Sequence, residues 1–90
     1  MKVKVENMTS NRSGREVPNQ FRIFTDKGVY FQSYSTVIAF RPHNGKLQLD
    51  ADKWNYSVTT AKYRNEFTRL TTKETEARIK SGEIELVDLN

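Results

Sequence analysis

The 90-residue chain has no cysteine and a single histidine, His43. Disulfide bonds and thiolate metal sites are therefore excluded, and a site built from several histidines cannot form. Nowhere do about 18 apolar residues follow one another, which predicts no membrane span. The opening MKVKVENMTS lacks the apolar run of a signal peptide, so a cytoplasmic protein is expected. Glycine occurs four times and proline twice, few enough that each marks a particular break in the chain. With no covalent or metal staple, stability must come from packing. A chain of this length buries roughly 60 to 65% of its unfolded surface around one modest core, which predicts a single domain over residues 1–90.

Five Phe, four Tyr and one Trp argue for a folded chain, and rings rather than many aliphatic side chains must supply the bulk of the core. The net charge of +4 is uneven. Residues 1–69 carry 12 basic and 6 acidic side chains, and residues 70–90 carry 3 and 5. A basic body with a slightly acidic tail is compatible with nucleic-acid binding without demanding it.

The hydrophobic pattern predicts an α+β fold: a twisted antiparallel sheet of four to five strands, one packed helix and a second short helix. Residues 2–6 alternate Lys and Val, the mark of a short strand. The polar stretch at 7–19, broken by Gly14 and Pro18, reads as a long flexible loop. Residues 20–34 read as a hairpin, QFRIFT and VYFQSY joined at Asp26-Lys27-Gly28. Phe21 and Ile23 share one face and Arg22 and Phe24 the other. Neither face is wholly polar, so part of the second is expected to be covered too.

Residues 37–40 read as a buried strand, stopped at Arg41-Pro42, and Asn44-Gly45 turns the chain into a strand at 46–49. A helix is expected near 60–70, capped by Thr59 or Thr60, with Tyr63, Phe67 and Leu70 on its buried stripe. A second at about 72–81 opens on the capping-box pattern Thr71-Thr72-Lys73-Glu74 and stops at Gly82. Residues 83–89 alternate as a last strand, able to pair at a sheet edge. The expected core is Phe21, Ile23, Phe31, Ile38, Leu47, Leu49, Trp54, Tyr63, Phe67 and Ile84.

Catalytic groups are scarce. His43 lies in a turn that supplies no nucleophile beside it, so an exposed turn residue is the plainer reading. Asp50 and Asp52 form a DxD pair, yet the further ligands of a calcium loop are missing, and turn and capping chemistry explains them better. Glu74, Glu76, Glu83 and Glu85 read as a solvated run. Ser13-Gly14-Arg15 lacks the rest of any phosphate-loop signature. The hydroxyl-rich stretch at 57–60, followed by Lys62 and Arg64, has the parts of an anion site at a helix start, although a plain cap needs the same residues. No catalytic residue, cofactor or metal site is expected.

Two binding readings remain. Arg12, Arg15, Arg22, Arg41, Lys62 and Arg64, interleaved with Tyr30, Tyr34, Trp54 and Tyr56, have the composition of a nucleic-acid surface, where cations meet phosphates and rings stack on bases. Among these, Arg64 is expected to reach solvent near the helix start. Alternatively, exposed rings such as Tyr30, Tyr34 and Tyr56 would anchor a protein partner.

The strings NQF at 19–21, YFQSYSTVIAF at 30–40 and WNYSVTTAKYRNEF at 54–67, followed by KSGE and the terminal DLN, resemble a family of small proteins of unknown function from bacteriophages and prophage-bearing bacteria. Asn55 stands where that family usually has Asp. The resemblance implies a phage origin and, by analogy, an accessory protein that binds a host or defence protein without catalysis. The alternative is a small basic nucleic-acid-binding module.

Overall fold

The computed structural model describes residues 2–10 and 12–90. In chain order the elements are β1 (Lys4–Thr9), β2 (Glu16–Phe24), β3 (Gly28–Ser33), β4 (Thr36–Pro42), β5 (Leu47–Asp50), α1 (Val58–Thr68), α2 (Thr72–Ser81) and β6 (Ile84–Val87). The strands form one sheet in the order of the sequence.

Local chemistry explains the turns. Between β2 and β3 the Thr25 hydroxyl accepts from the amides of Lys27 and Gly28 at 3.2 Å each, and the Thr25 amide donates to the Gly28 carbonyl at 2.9 Å. Gly28 is required by space: a Cβ there would lie 2.3 Å from the carbonyl oxygen of Arg41. A two-residue turn, Tyr34-Ser35, joins β3 to β4, and Asn44-Gly45 lies in the turn before β5.

Helix α1 starts two or three residues earlier than a cap at Thr59 or Thr60 predicts. Ser57 is its cap, accepting from the Thr60 amide at 3.1 Å. The helix ends at Arg69, which takes the left-handed conformation (φ 62°). Helix α2 has the expected capping box: the Thr71 hydroxyl accepts from the Glu74 amide while the Glu74 carboxylate accepts from the Thr71 amide, both at 3.1 Å. Gly82 ends it as read from the sequence, with φ 84°.

Strands β1 to β5 pair antiparallel, but β6 lies parallel to β5. The all-antiparallel expectation is corrected here, because two helices between β5 and β6 carry the chain back to the starting end of β5, as a parallel pair requires. The sheet has six strands rather than four to five. Both helices lie on one face. The Thr60 and Ser33 hydroxyls meet at 3.2 Å, and Phe67 stacks on Phe31 with ring centroids 5.8 Å apart.

The core between them comprises Met8, Phe31, Ile38, Ala39, Leu49, Tyr63, Phe67 and Ile84. Full burial of one such large side chain stabilises by about 1.5 to 3 kcal/mol. Ile38 is the extra residue of a bulge in β4, where the pairing steps from Phe31 with Ala39 to Gln32 with Val37. Leu47 and Trp54 pack at the rim, half-buried.

Two further expectations fail. The loop at 7–19 is shorter, since residues 7–9 and 16–19 are strand and only residues 10 and 12–15 lie between them; Asn11 falls outside the described residues. Asn7 helps to hold this edge, its side-chain amide donating to the Val17 carbonyl at 3.1 Å. Val5 is exposed, and Met8 is the buried anchor of β1. Phe21 and Ile23 are half-buried rather than core, because β2 presents them to the face opposite the helices.

The Asp50 carboxylate ties the C-terminal end to the β5–α1 turn. It accepts from the amides of Asp52 (3.2 Å), Lys53 (2.9 Å) and Leu89 (2.8 Å) and from the side-chain amide of Asn90 (3.1 Å). Asn90 in turn pairs with both backbone groups of Val37. Asp50 thus does turn and capping chemistry, with the Asp52 amide as one of its donors, and among the described residues no His, Asp and Glu cluster of three or more could hold a metal ion. Burial acts to raise the Asp50 pKa, but the hydrogen bonds outweigh it and hold the carboxyl below its ordinary value. No helix among the described residues is long and apolar enough to cross a membrane.

Candidate functional site

Pairing register assigns each strand residue to one face of the sheet, because residues directly opposite in a ladder point the same way. One row runs Glu6, Arg22, Phe31, Ala39, Leu49, Leu86, and the helices cover its centre. The neighbouring row runs Val5, Ile23, Tyr30, Phe40, Gln48, Glu85, and no element of the described chain packs over it. Beside that row lie Asn7, Phe21, Gln32 and Val37.

Apolar side chains thus occupy the open face across four strands, a distance of about 14 Å at the usual strand spacing. Tyr30 and Phe40 stack at its centre, with centroids 4.3 Å apart. Val5 is 58% exposed at one end. The opposite end is polar, with Gln48 and Glu85.

Charge divides just as sharply. The three basic residues within strands, Lys4, Arg22 and Arg41, all point to the helix-covered side: Lys4 pairs with Phe24, Arg22 with Phe31 and Arg41 with Val29. No lysine or arginine projects from a paired position on the open face. Tyr30 and Phe40 on the open face therefore have no strand cation beside them, whereas the cation–ring contacts of Arg41 with Phe67 and Lys53 with Tyr56 lie elsewhere.

The surface expected from the sequence is dispersed over the molecule. Tyr30 is on the open face, half-buried rather than exposed because it stacks on Phe40. Tyr34 sits in the β3–β4 turn, 60% exposed, with a left-handed backbone (φ 55°) rare for an aromatic residue. Its amide donates to the Asn19 carbonyl at 2.7 Å. Tyr56 is exposed on the β5–α1 loop with the Lys53 ammonium 5.4 Å above its ring. Arg12 and Arg15 are exposed between β1 and β2, and Lys62 is exposed on α1. Arg22 and Arg41 meet near the end of α1, away from all of these.

Arg64 contradicts its expected place. It is completely buried, and its guanidinium donates to the Trp54 carbonyl (2.6 Å), Asn55 Oδ1 (3.2 Å), Asn65 Oδ1 (2.9 Å) and Thr72 Oγ1 (2.8 Å). It also lies 5.0 Å from the Trp54 ring. A position one residue after the buried Tyr63 looked solvent-facing, but the β5–α1 loop and the start of α2 fold over it. Burial lowers the Arg64 pKa, and Glu76 partly offsets the shift. Arg64 is a structural hub joining the loop to both helices. Asn55 is one of its acceptors, so that position serves the hub.

The sequence reading missed the open face because Phe21 and Ile23 were assigned to the core. The signal present was the mixed character of β2, apolar on one side and divided between Arg22 and Phe24 on the other.

The model of a family of unknown function, DUF8033, matches residues 3–85 of the chain. No curated protein and no solved structure matches it.

Proposed function

The chain belongs to this family of unknown function, and from its own geometry we propose that it is a non-catalytic binding module whose open sheet face docks on a protein. The observation that carries this reading is the uncovered row Val5, Ile23, Tyr30 and Phe40 on a sheet whose strand cations all point the other way. A half-buried apolar strip that no element covers suits a protein interface, and stacked rings such as Tyr30 and Phe40 make good anchors. A phosphate backbone would require cations among the rings, which favours a protein partner with a neutral, apolar contact surface. In line with the resemblance to small phage proteins, the partner is a host or defence protein in the cytoplasm of the host cell.

The test is co-purification of tagged protein from nuclease-treated lysate of the native host. Wild type and Arg22→Gln should retain a stoichiometric protein that Ile23→Lys, still folded by circular dichroism, loses. Retention by Ile23→Lys, or loss of all bound material on nuclease treatment, would overturn the proposal. Sedimentation of the purified chain separates a second copy from a different protein as the occupant.

A further inference from the structure

Three arginines converge where β2, β4 and the end of α1 meet. Arg22 rises from the helix-covered side of β2, Arg41 from the same side of β4, and Arg69 from the left-handed residue that ends α1. Arg41 lies 4.6 Å from the Phe67 ring centroid and donates through Nη2 to the Phe67 carbonyl. This contact has a plain structural meaning, since the last carbonyls of a helix are unpaired and carry partial negative charge.

The same explanation does not extend to Arg22 and Arg69. The ion pairs of Lys4 with Glu6 and of Arg78 with Glu83 involve neither of them. Both line a cleft of about 240 Å³, together with Met8, Thr9, Asn65 and Glu66. One carboxylate against three guanidiniums leaves the cluster positive. The crowding is felt at Arg41, whose pKa is held below its ordinary value by burial first and then by the charges of Arg22 and Arg69.

We propose that this cleft binds a phosphate-class oxyanion, held by Arg22 and Arg69 from two sides with Arg41 adding to the positive field. Guanidinium forks match the oxygen spacing of such anions and offer paired donors, and an anion here would relieve the mutual repulsion of the cluster. The site lies on the opposite side of the sheet from the docking face and does not depend on it.

The test is a thermal and NMR titration of the full chain with inorganic phosphate and, in parallel, with phenyl phosphate, at constant ionic strength set with sodium chloride. Saturable stabilisation is expected, with shifts at the side-chain N–H groups of Arg22 and Arg69. The arm that responds more strongly identifies the free ion or the esterified group as the ligand. Arg69→Gly keeps the left-handed helix end, which glycine adopts freely, and should lower affinity for the anion about tenfold or more, as should Arg22→Gln. Without anion, Arg69→Gly should be no less stable than wild type. Equal stabilisation by sodium chloride alone, or unchanged affinity in both variants, would overturn the proposal.

Discussion

Tyr30 and Phe31 are adjacent in one strand, yet one lies half-buried on the open face and the other in the core. Phe31 stacks on Phe67 beneath α1, and Tyr30 stacks on Phe40 with nothing above it. The covered face buries apolar side chains and places Arg22 and Arg41 at the rim near the end of α1. The open face carries rings and aliphatic groups with no cation from any strand. Folding requires the first face, while the rings and aliphatic groups of the second pack only against their strand neighbours, and that difference is the basis for assigning the open face to a partner.

Substituting lysine at each of these adjacent positions gives the largest contrast. Phe31→Lys places an unpaired ammonium in the core at a cost of several kcal/mol, comparable to the total stability of a small domain, and no folded protein is expected by circular dichroism. Tyr30→Lys should remain folded, with a loss of about 1 kcal/mol or less in urea denaturation. Similar losses at the two positions would erase the distinction between the faces.

A second contrast sets two arginines against each other. Arg64→Ala removes four hydrogen bonds, leaves their acceptors buried and opens a cavity under Trp54, for an expected loss of about 3 to 5 kcal/mol. Arg22→Gln, at the rim, should stay within about 0.5 kcal/mol of wild type. Urea midpoints measure both. A cost below about 1 kcal/mol for Arg64→Ala would remove Arg64 from its structural role.

The Asp50 tie yields a smaller, pH-dependent effect. Its carboxyl is held below the ordinary value in the fold, so as pH falls the unfolded chain takes up the proton first. The stabilisation is complete well above the ordinary aspartate value of about 3.9 and is lost as pH falls through the lower folded value. Asp50→Asn should cost about 1 to 2 kcal/mol at pH 7 and flatten the decline between about pH 5 and pH 3. Urea midpoints across that range check it, and an unchanged acid limb would contradict it.

These contrasts also mark what could be read from the sequence. The capping box at Thr71, the stop at Gly82 and the turn before Gly28 were legible because their causes lie within a few residues. The α+β class followed from the hydrophobic pattern, α1 from the spacing of Tyr63, Phe67 and Leu70, and α2 from its caps. The orientation of β2 was not legible: Phe21 and Ile23 form the more apolar side, and only the positions of Met8, Phe31 and the helices place Arg22 on the covered face. Arg64 was misread because an arginine beside an apolar stripe looks exposed until the loop and α2 that fold over it are located. The parallel β6 depended on where two helices return the chain, a property of the whole fold.

The central claim is that the open face is the docking surface. Radical footprinting of the tagged chain, alone and in its captured complex, tests it most directly. The account predicts that Tyr30, Phe40, Ile23 and Val5 lose labelling in the complex while Tyr56 and Tyr34 keep theirs. Labelling unchanged on the open face, with protection confined to other surfaces, would contradict it.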